Sequence, residues 1–160
     1  MGISTADLCD EHPETARVCE PLFRSYGAKQ SFGGPVRTVR VYEDNVLVQQ
    51  ALDEVEAGSV LVVDGGGSLR CALLGDRLAE VAASRSLAGV ILYGCVRDAA
   101  ELAHTEVGIF ALASHPRKSR KGGEGERDLA VEFGGVSFAP GEYVYADADG
   151  VVVADRNLMG

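Results

Sequence analysis

The sequence predicts a mixed α/β domain whose second half is dominated by β structure. Three observations predict it. Short β-branched runs bounded by glycine recur along the chain, apolar residues at helical spacing fall between them, and turn residues crowd the C-terminal third. The runs lie at 35–41 (PVRTVRV), 60–63 (VLVV), 89–93 (GVILY), 109–113 (IFALA) and 129–133 (LAVEF). Several are apolar at consecutive positions, the pattern of strands covered on both faces, whereas 129–133 alternates and predicts one wetter face. Val48, Ala51, Leu52 and Val55 follow the capping pair Asp44 and Asn45 at i, i+3, i+4 and i+7. Leu78, Val81, Ala82 and Arg85 repeat the pattern after Gly75 and Asp76. Strand, helix and strand across 60–93 predict a βαβ-like unit, and the glycine and proline punctuation at 133–136, 139–142 and 148–150 predicts tight turns. Residues 115–127 (HPRKSRKGGEGER) read as a charged loop.

At 160 residues the chain accommodates one domain, spanning 1–160. With 46% apolar and 24% charged residues it has globular composition and is not a disordered chain. Fifteen Lys and Arg against 24 Asp and Glu leave a net charge of −9, which repels phosphate backbones and argues against direct binding of nucleic acid. If the protein meets an RNA-processing machine, electrostatics favours a basic protein component of it. Cys9, Cys19, Cys71 and Cys95 match neither a CxxC motif nor a zinc signature, and the start MGISTADLCDEH lacks a basic segment followed by an apolar run. A cytoplasmic protein with reduced thiols is expected. No apolar stretch approaches the roughly 20 residues of a membrane helix.

Three segments are candidates for chemistry. The glycine-rich 64–68 (DGGGS) follows an apolar run but matches neither GxGxxG nor the Walker pattern, so it is either a strand-ending turn or a wall of an active site. Gly75, Asp76, Arg77 and Leu78 open a helix, where unpaired backbone N–H groups and the positive dipole end suit a carboxylate or phosphate. After the strand at 89–93, Arg97 and Asp98 set a cation beside an anion at a strand end, where open α/β folds bind ligands. Structural alternatives stand beside each: Asp98 to Glu101 has the form of a capping box, Arg97 could pair with any of the 24 carboxylates, and Asp76 suits a helix's first turn.

Asp76, twenty intervening residues and then Arg97 and Asp98, set within GDRLA and YGCVRD, occur together with SFGGPVRTV, DGGGS and FGGVSFAPGEYVYADADGVVV. In these features the chain resembles the RraA-like family, which includes class II 4-hydroxy-4-methyl-2-oxoglutarate aldolases and regulators of ribonuclease E activity. The similarity runs from about Thr5 to Ala154. The resemblance implies a swivelling β/β/α domain assembled as a homotrimer with active sites between subunits. It implies a divalent metal, Mg²⁺ or Mn²⁺, and cleavage of 4-hydroxy-4-methyl-2-oxoglutarate or 4-carboxy-4-hydroxy-2-oxoadipate to pyruvate and a second oxo-acid, with oxaloacetate decarboxylation as a side activity. By the same resemblance the backbone of Gly75, Asp76, Arg77 and Leu78 binds the pyruvoyl carboxylate and Arg97 binds a substrate oxygen. Asp98 holds the metal, and Asp76 orients the water that protonates the enolate. One carboxylate is adequate for a hard cation that keeps several waters.

The aldolase branch carries a longer C-terminal extension with a further acidic residue, whereas this sequence reads DRNLMG to Gly160. SFGG at 31–34 and EPLFRSYG at 20–27 look most like the regulatory branch, which docks on a ribonuclease or helicase and tends to lack an acidic residue after the arginine; here Asp98 follows. His12, His104 and His115 have no metal-ligand spacing and read as surface or capping residues, and Lys29, Lys118 and Lys121 read as solvated. A menaquinone-type methyltransferase is disfavoured, because no nucleotide-binding glycine fingerprint is present.

Overall fold

The computed structural model describes residues 2–160. In chain order the elements are α1 (Thr5–Glu11), β1 (Arg17–Val18), β2 (Arg24–Ser25), β3 (Phe32–Arg40), α2 (Val46–Glu54), β4 (Val60–Asp64), β5 (Ala72–Leu74) and α3 (Asp76–Ser84). They continue with β6 (Gly89–Val96), α4 (Ala99–Leu102), β7 (Gly108–Ser114), β8 (Glu126–Arg127), β9 (Val131–Phe133), β10 (Val136–Phe138), β11 (Tyr143–Asp147) and β12 (Gly150–Ala154).

The large sheet runs β1-β12-β11-β3-β4-β6-β7-β2, with β5 added beside β6 and β8 beside β3. Its centre is parallel: β3 with β4, β4 with β6, and β6 with β7. Strand β3 belongs to two surfaces at once. Its first half, Phe32 to Pro35, pairs antiparallel with β11, and its second half, Val36 to Arg40, pairs parallel with β4. The change-over falls between Pro35 and Val36, and just before it a Cβ on Gly34 would stand 2.2 Å from the Gly58 carbonyl oxygen. Only glycine allows that approach.

Strand alternation then sorts the apolar residues into layers. Leu61 and Val63 of β4, with Val90 and Leu92 of β6, face α2 and α3 in one buried cluster. Val60, Val62 and Ile91 face the other way, against β9, β10, β11 and β12. The result is helix, parallel sheet and second β layer, the mixed α/β arrangement with a β-rich C-terminal half that the sequence predicts. In the second layer Phe133 stacks on Tyr93 at 4.8 Å between ring centroids and on Phe138 at 4.7 Å. Such pairs contribute about 0.5 to 1.5 kcal/mol each beyond burial.

Individual expectations fare differently. Helix α2 buries Val48, Ala51 and Leu52, with Val55 at its C-cap. In α3 the buried stripe passes through Ala79 and Ala82, while Leu78 and Val81 are half-buried on its flank. Strand β9 shows the expected alternation, buried at Val131 and Phe133 and exposed at Glu132. Two elements lack a sequence signal strong enough to announce them. Helix α1 starts at Ser4, whose hydroxyl accepts the Asp7 N–H, and its Thr5 is bound by Asp147 from β11. Strand β5 is three residues of Ala and Leu that pair with β6 where β4 has already ended.

Candidate active site

The parallel centre of the sheet explains where the chemistry-bearing residues meet. Strands β5 and β6 lie side by side and point the same way, so the segment after each opens on the same edge. After β5 come Gly75 and Asp76; after β6 come Arg97 and Asp98. The Arg97 N–H donates to the Leu74 carbonyl at 2.9 Å, which ties the two strand ends together across the intervening helix. The chain after β3 reaches the same edge, where Asn45 Nδ2 donates to the Leu73 carbonyl at 3.1 Å. The segment after β7 returns to it too, with the Ala72 N–H donating to the Arg117 carbonyl at 2.8 Å.

These four segments enclose a cleft of about 250 Å³. All six residues singled out from the sequence line it: Gly75, Asp76, Arg77, Leu78, Arg97 and Asp98. Sequence reasoning missed Asn45, Gln49, Ser119, Lys118 and Lys121, which complete the wall. The two lysines are exposed, as the charge-dense loop suggests, yet they overhang the cleft. Lys121 Nζ donates to Asn45 Oδ1 at 2.9 Å. No local pattern in 115–127 signals this contact, because it depends on the β7 segment folding back over β5. Arg77, Arg97, Lys118 and Lys121 therefore face Asp76 and Asp98, a cationic cleft in a chain of charge −9.

The alternatives for Arg97 and Asp98 can be decided. Arg97 takes part in none of the ion pairs formed among the described residues. Its guanidinium is half-buried and uncommitted. Asp98 is the N-cap residue of α4 but makes no side-chain capping bond there, so the capping-box reading is overturned. The reason is its backbone, which sits in the left-handed region at φ 61. That conformation is tolerated by Asp more readily than by most residues. It turns the carboxylate back toward α3, where Oδ2 accepts the Asp76 N–H at 3.0 Å. Asp98 thus caps a different helix from the one it begins. The nine-residue α3 has Gly75 as its N-cap residue and no side-chain cap of its own, leaving the Arg77 and Leu78 N–H groups without intrahelical partners.

Gly75 leaves room for this contact. A Cβ there would lie 2.6 Å from Asp98 Oδ2 and 3.3 Å from Arg97 Cγ. The DGGGS segment, by contrast, is a strand-ending turn and not a wall of this cleft. Gly65 and Gly67 donate to the Tyr93 carbonyl, and Gly66 and Gly67 have φ of +69 and +72. His115 caps locally, its Nδ1 accepting the Arg117 N–H, and His104 is exposed.

For a metal, the donor set is sparse. No group of three or more His, Cys, Asp or Glu side chains able to hold an ion is present among the described residues. Asp98 offers one oxygen, Oδ1, with no protein hydrogen bond. That donor fits a hard divalent cation, which takes one or two carboxylates and fills its remaining positions with water and substrate oxygens. The four cysteines are unpaired. Burial pushes the Cys19 thiol up to about 11, with Glu20 adding to the effect, and burial raises Cys71 and Cys95 also.

A family model described as RraA-like, Aldolase/RraA, matches residues 5–153. The chain belongs to the RraA-like family. A relative from Aromatoleum aromaticum, provisionally named a 4-hydroxy-4-methyl-2-oxoglutarate aldolase, is 52% identical over 99% of this chain and 100% of its own length. A crystal structure from Geobacillus kaustophilus, named an S-adenosylmethionine:2-dimethylmenaquinone methyltransferase, superposes with a TM-score of 0.97 at 57% identity over 98% of each chain. The RNA-processing inhibitor RraA from Thermus thermophilis superposes at 0.93 with 46% identity, covering 98% of this chain and 94% of that one. One RraA-like fold thus carries three functional names, and the choice among them rests on the site. Among the described residues no helix is long and apolar enough to cross a membrane.

Proposed function

We propose that this RraA-like protein is a divalent-metal-dependent lyase that cleaves 4-hydroxy-4-methyl-2-oxoglutarate and decarboxylates oxaloacetate as a side reaction. The observation that carries the reading is the meeting of an uncommitted Arg97, an Asp98 with a free Oδ1 and the open N-terminus of α3 in one cationic cleft. Asp98 would hold Mg²⁺ or Mn²⁺. When bound, the ion supplies Lewis-acid polarisation of the substrate's 2-oxo group.

The chain's own groups do the rest. The Arg77 and Leu78 N–H groups bind the carboxylate next to the 2-oxo carbon, where the helix dipole favours negative charge. The Arg97 guanidinium donates to the 2-oxo oxygen, on which charge grows as the carbon–carbon bond breaks, so its contribution is largest in the transition state. In that step the 4-hydroxyl gives its proton to water in the cleft, the C3–C4 electron pair moves into the enolate of pyruvate, and the C4 fragment leaves as a second oxo-acid. Asp76, exposed at the mouth of the cleft, orients the water that returns a proton to C3. No lysine Schiff base is needed. The family resemblance supports assembly as a homotrimer with the sites between subunits.

The methyltransferase name finds no support in the site, which lacks a nucleotide-type glycine loop. A second reading is favoured by the similarity to an RNA-processing inhibitor and the charge of −9: a protein-binding regulator that docks on basic segments of a ribonuclease or helicase. One assay separates the two. Pyruvate release from 4-hydroxy-4-methyl-2-oxoglutarate and from oxaloacetate is measured after chelation and again with Mg²⁺ restored. Metal-restored turnover supports the lyase; its absence with every divalent ion, alongside salt-sensitive ribonuclease binding, replaces it with the regulator.

A further inference from the structure

Asp44 is the one fully buried charged side chain among the described residues, at 0% exposure. No cation approaches it to form an ion pair. Its carboxylate is met by backbone amides alone. Oδ1 accepts the Val46 N–H at 3.2 Å in the first turn of α2. Oδ2 accepts the Gly122 N–H at 2.9 Å and the Glu124 N–H at 3.2 Å, from a segment about 80 residues away. Burial by itself would raise its pKa, but these amides outweigh burial and hold it below the ordinary carboxylate value.

The neighbours of Asp44 show what this anchoring accomplishes. The Arg120 N–H donates to the Glu43 carbonyl at 3.2 Å, and Lys121 Nζ donates to Asn45 Oδ1 at 2.9 Å. Residues 43–45 therefore grip 120–124 at four points, with the buried carboxylate at the centre. The gripped segment contains Gly122 and Gly123 and is followed by Gly125, with φ of +87 at Gly123 and +142 at Gly125. So glycine-rich a segment loses much conformational freedom on being fixed and would not hold its shape unaided. Its functional content is Lys121, which stands beside Lys118 at the rim of the cleft.

We propose that Asp44 is a positioning residue for substrate recognition: it locks the 120–124 segment to the start of α2 and so holds Lys121 where, beside Lys118, it meets the substrate carboxylate remote from the 2-oxo group. The proposal rests on the lyase reading. It assigns the loop to binding of the second carboxylate, while Arg97 and the α3 N-terminus serve the pyruvoyl half. Monocarboxylate ligands then have no use for Asp44.

Asp44→Asn is the discriminating variant, because an amide offers one acceptor and one donor. It can cap α2 or hold the loop, and it cannot do both. Expected are faster amide hydrogen exchange confined to residues 119–124, a KM for 4-hydroxy-4-methyl-2-oxoglutarate raised about tenfold and a kcat within about threefold of the parent. Inhibition by pyruvate, which lacks the remote carboxylate, stays unchanged. Glu124→Pro, which removes a loop donor at an exposed position and leaves the α2 cap intact, reproduces the same split, so misfolding of one variant does not decide the matter. In a Lys121→Ala background Asp44→Asn adds little. Equal weakening of 4-hydroxy-4-methyl-2-oxoglutarate and pyruvate, a fall in kcat at constant KM, or unchanged exchange at 119–124 overturns the proposal. Absence of turnover in the parent protein overturns the lyase reading and this proposal with it, a result distinct from any of the variant outcomes.

Discussion

The Asp98 carboxylate accepts the Asp76 N–H at 3.0 Å, joining two residues 22 positions apart at the mouth of one cleft. The same carboxylate thus caps a helix through Oδ2 and leaves Oδ1 free, so its structural and chemical roles can be separated by substitution. Asp98→Asn keeps an acceptor for the Asp76 N–H and tolerates the left-handed backbone, so thermal stability stays near the parent value. Metal-stimulated pyruvate release is lost. Asp98→Ala loses both, with stability lower by about 0.5 to 2 kcal/mol from the missing cap. Full metal-dependent turnover in Asp98→Asn would remove Asp98 from the metal assignment.

Arg97→Lys retains the charge and gives up the planar fork. Under the lyase reading kcat falls about 100-fold or more. If instead the protein acts by docking through dispersed surface carboxylates, the substitution leaves ribonuclease inhibition unchanged, and moderate salt weakens it by screening over about 8 Å. Both assays belong on the same preparation.

Gly75→Ala tests the packing of the site. The backbone at Gly75 has φ −128, which alanine adopts freely, so any cost is steric. The added methyl meets Asp98 Oδ2 and displaces it. A loss of kcat/KM of about tenfold or more is expected, with unfolding shifted by no more than a few degrees. Unchanged kinetics would show that the Asp98 position is not critical.

Acid should loosen the attachment of α1. Burial acts to raise the Asp147 pKa, but the Thr5 hydroxyl and N–H, together with the Asp149 and Gly150 amides, hold it below the ordinary carboxylate value. A depressed folded-state pKa means that the stabilisation is present above the unfolded value of about 3.9 and is lost as pH falls through the folded one. Asp44 is shifted the same way and adds to the trend. Thermal midpoints should drop as pH falls from about 5 to 3, less steeply in Asp147→Asn. An equal slope in both proteins would contradict this linkage.

Light scattering is expected to report about three chains per particle if the homotrimer implied by the family resemblance forms, one of several closed symmetric assemblies open to such a chain. Val18, Tyr42, Leu69 and Met159 are the large apolar side chains left exposed on the single chain. A stable, active monomer would exclude a site shared between subunits.

The local sequence was enough to place the central strands and α2, because consecutive apolar residues and the i, i+3, i+4, i+7 spacing report burial directly. The pair Arg97 and Asp98 could also be singled out, by its place after an apolar strand and by the family resemblance, although the same kind of pair follows β12 at Asp155 and Arg156. Other features were settled only by the tertiary structure. Strand β5 is too short for a pattern, and its place beside β6 is what brings Gly75 to Asp98. The capping box at 98–101 was a sound local reading that lost to a distant donor, because the left-handed Asp98 backbone aims the carboxylate at α3. Lys118 and Lys121 look like any solvated lysines until the β7 segment folds back and Asp44 pins it. Local pattern determines which residues are buried and which elements form; contacts between residues tens of positions apart depend on strand order and loop return, which carry no periodicity to read.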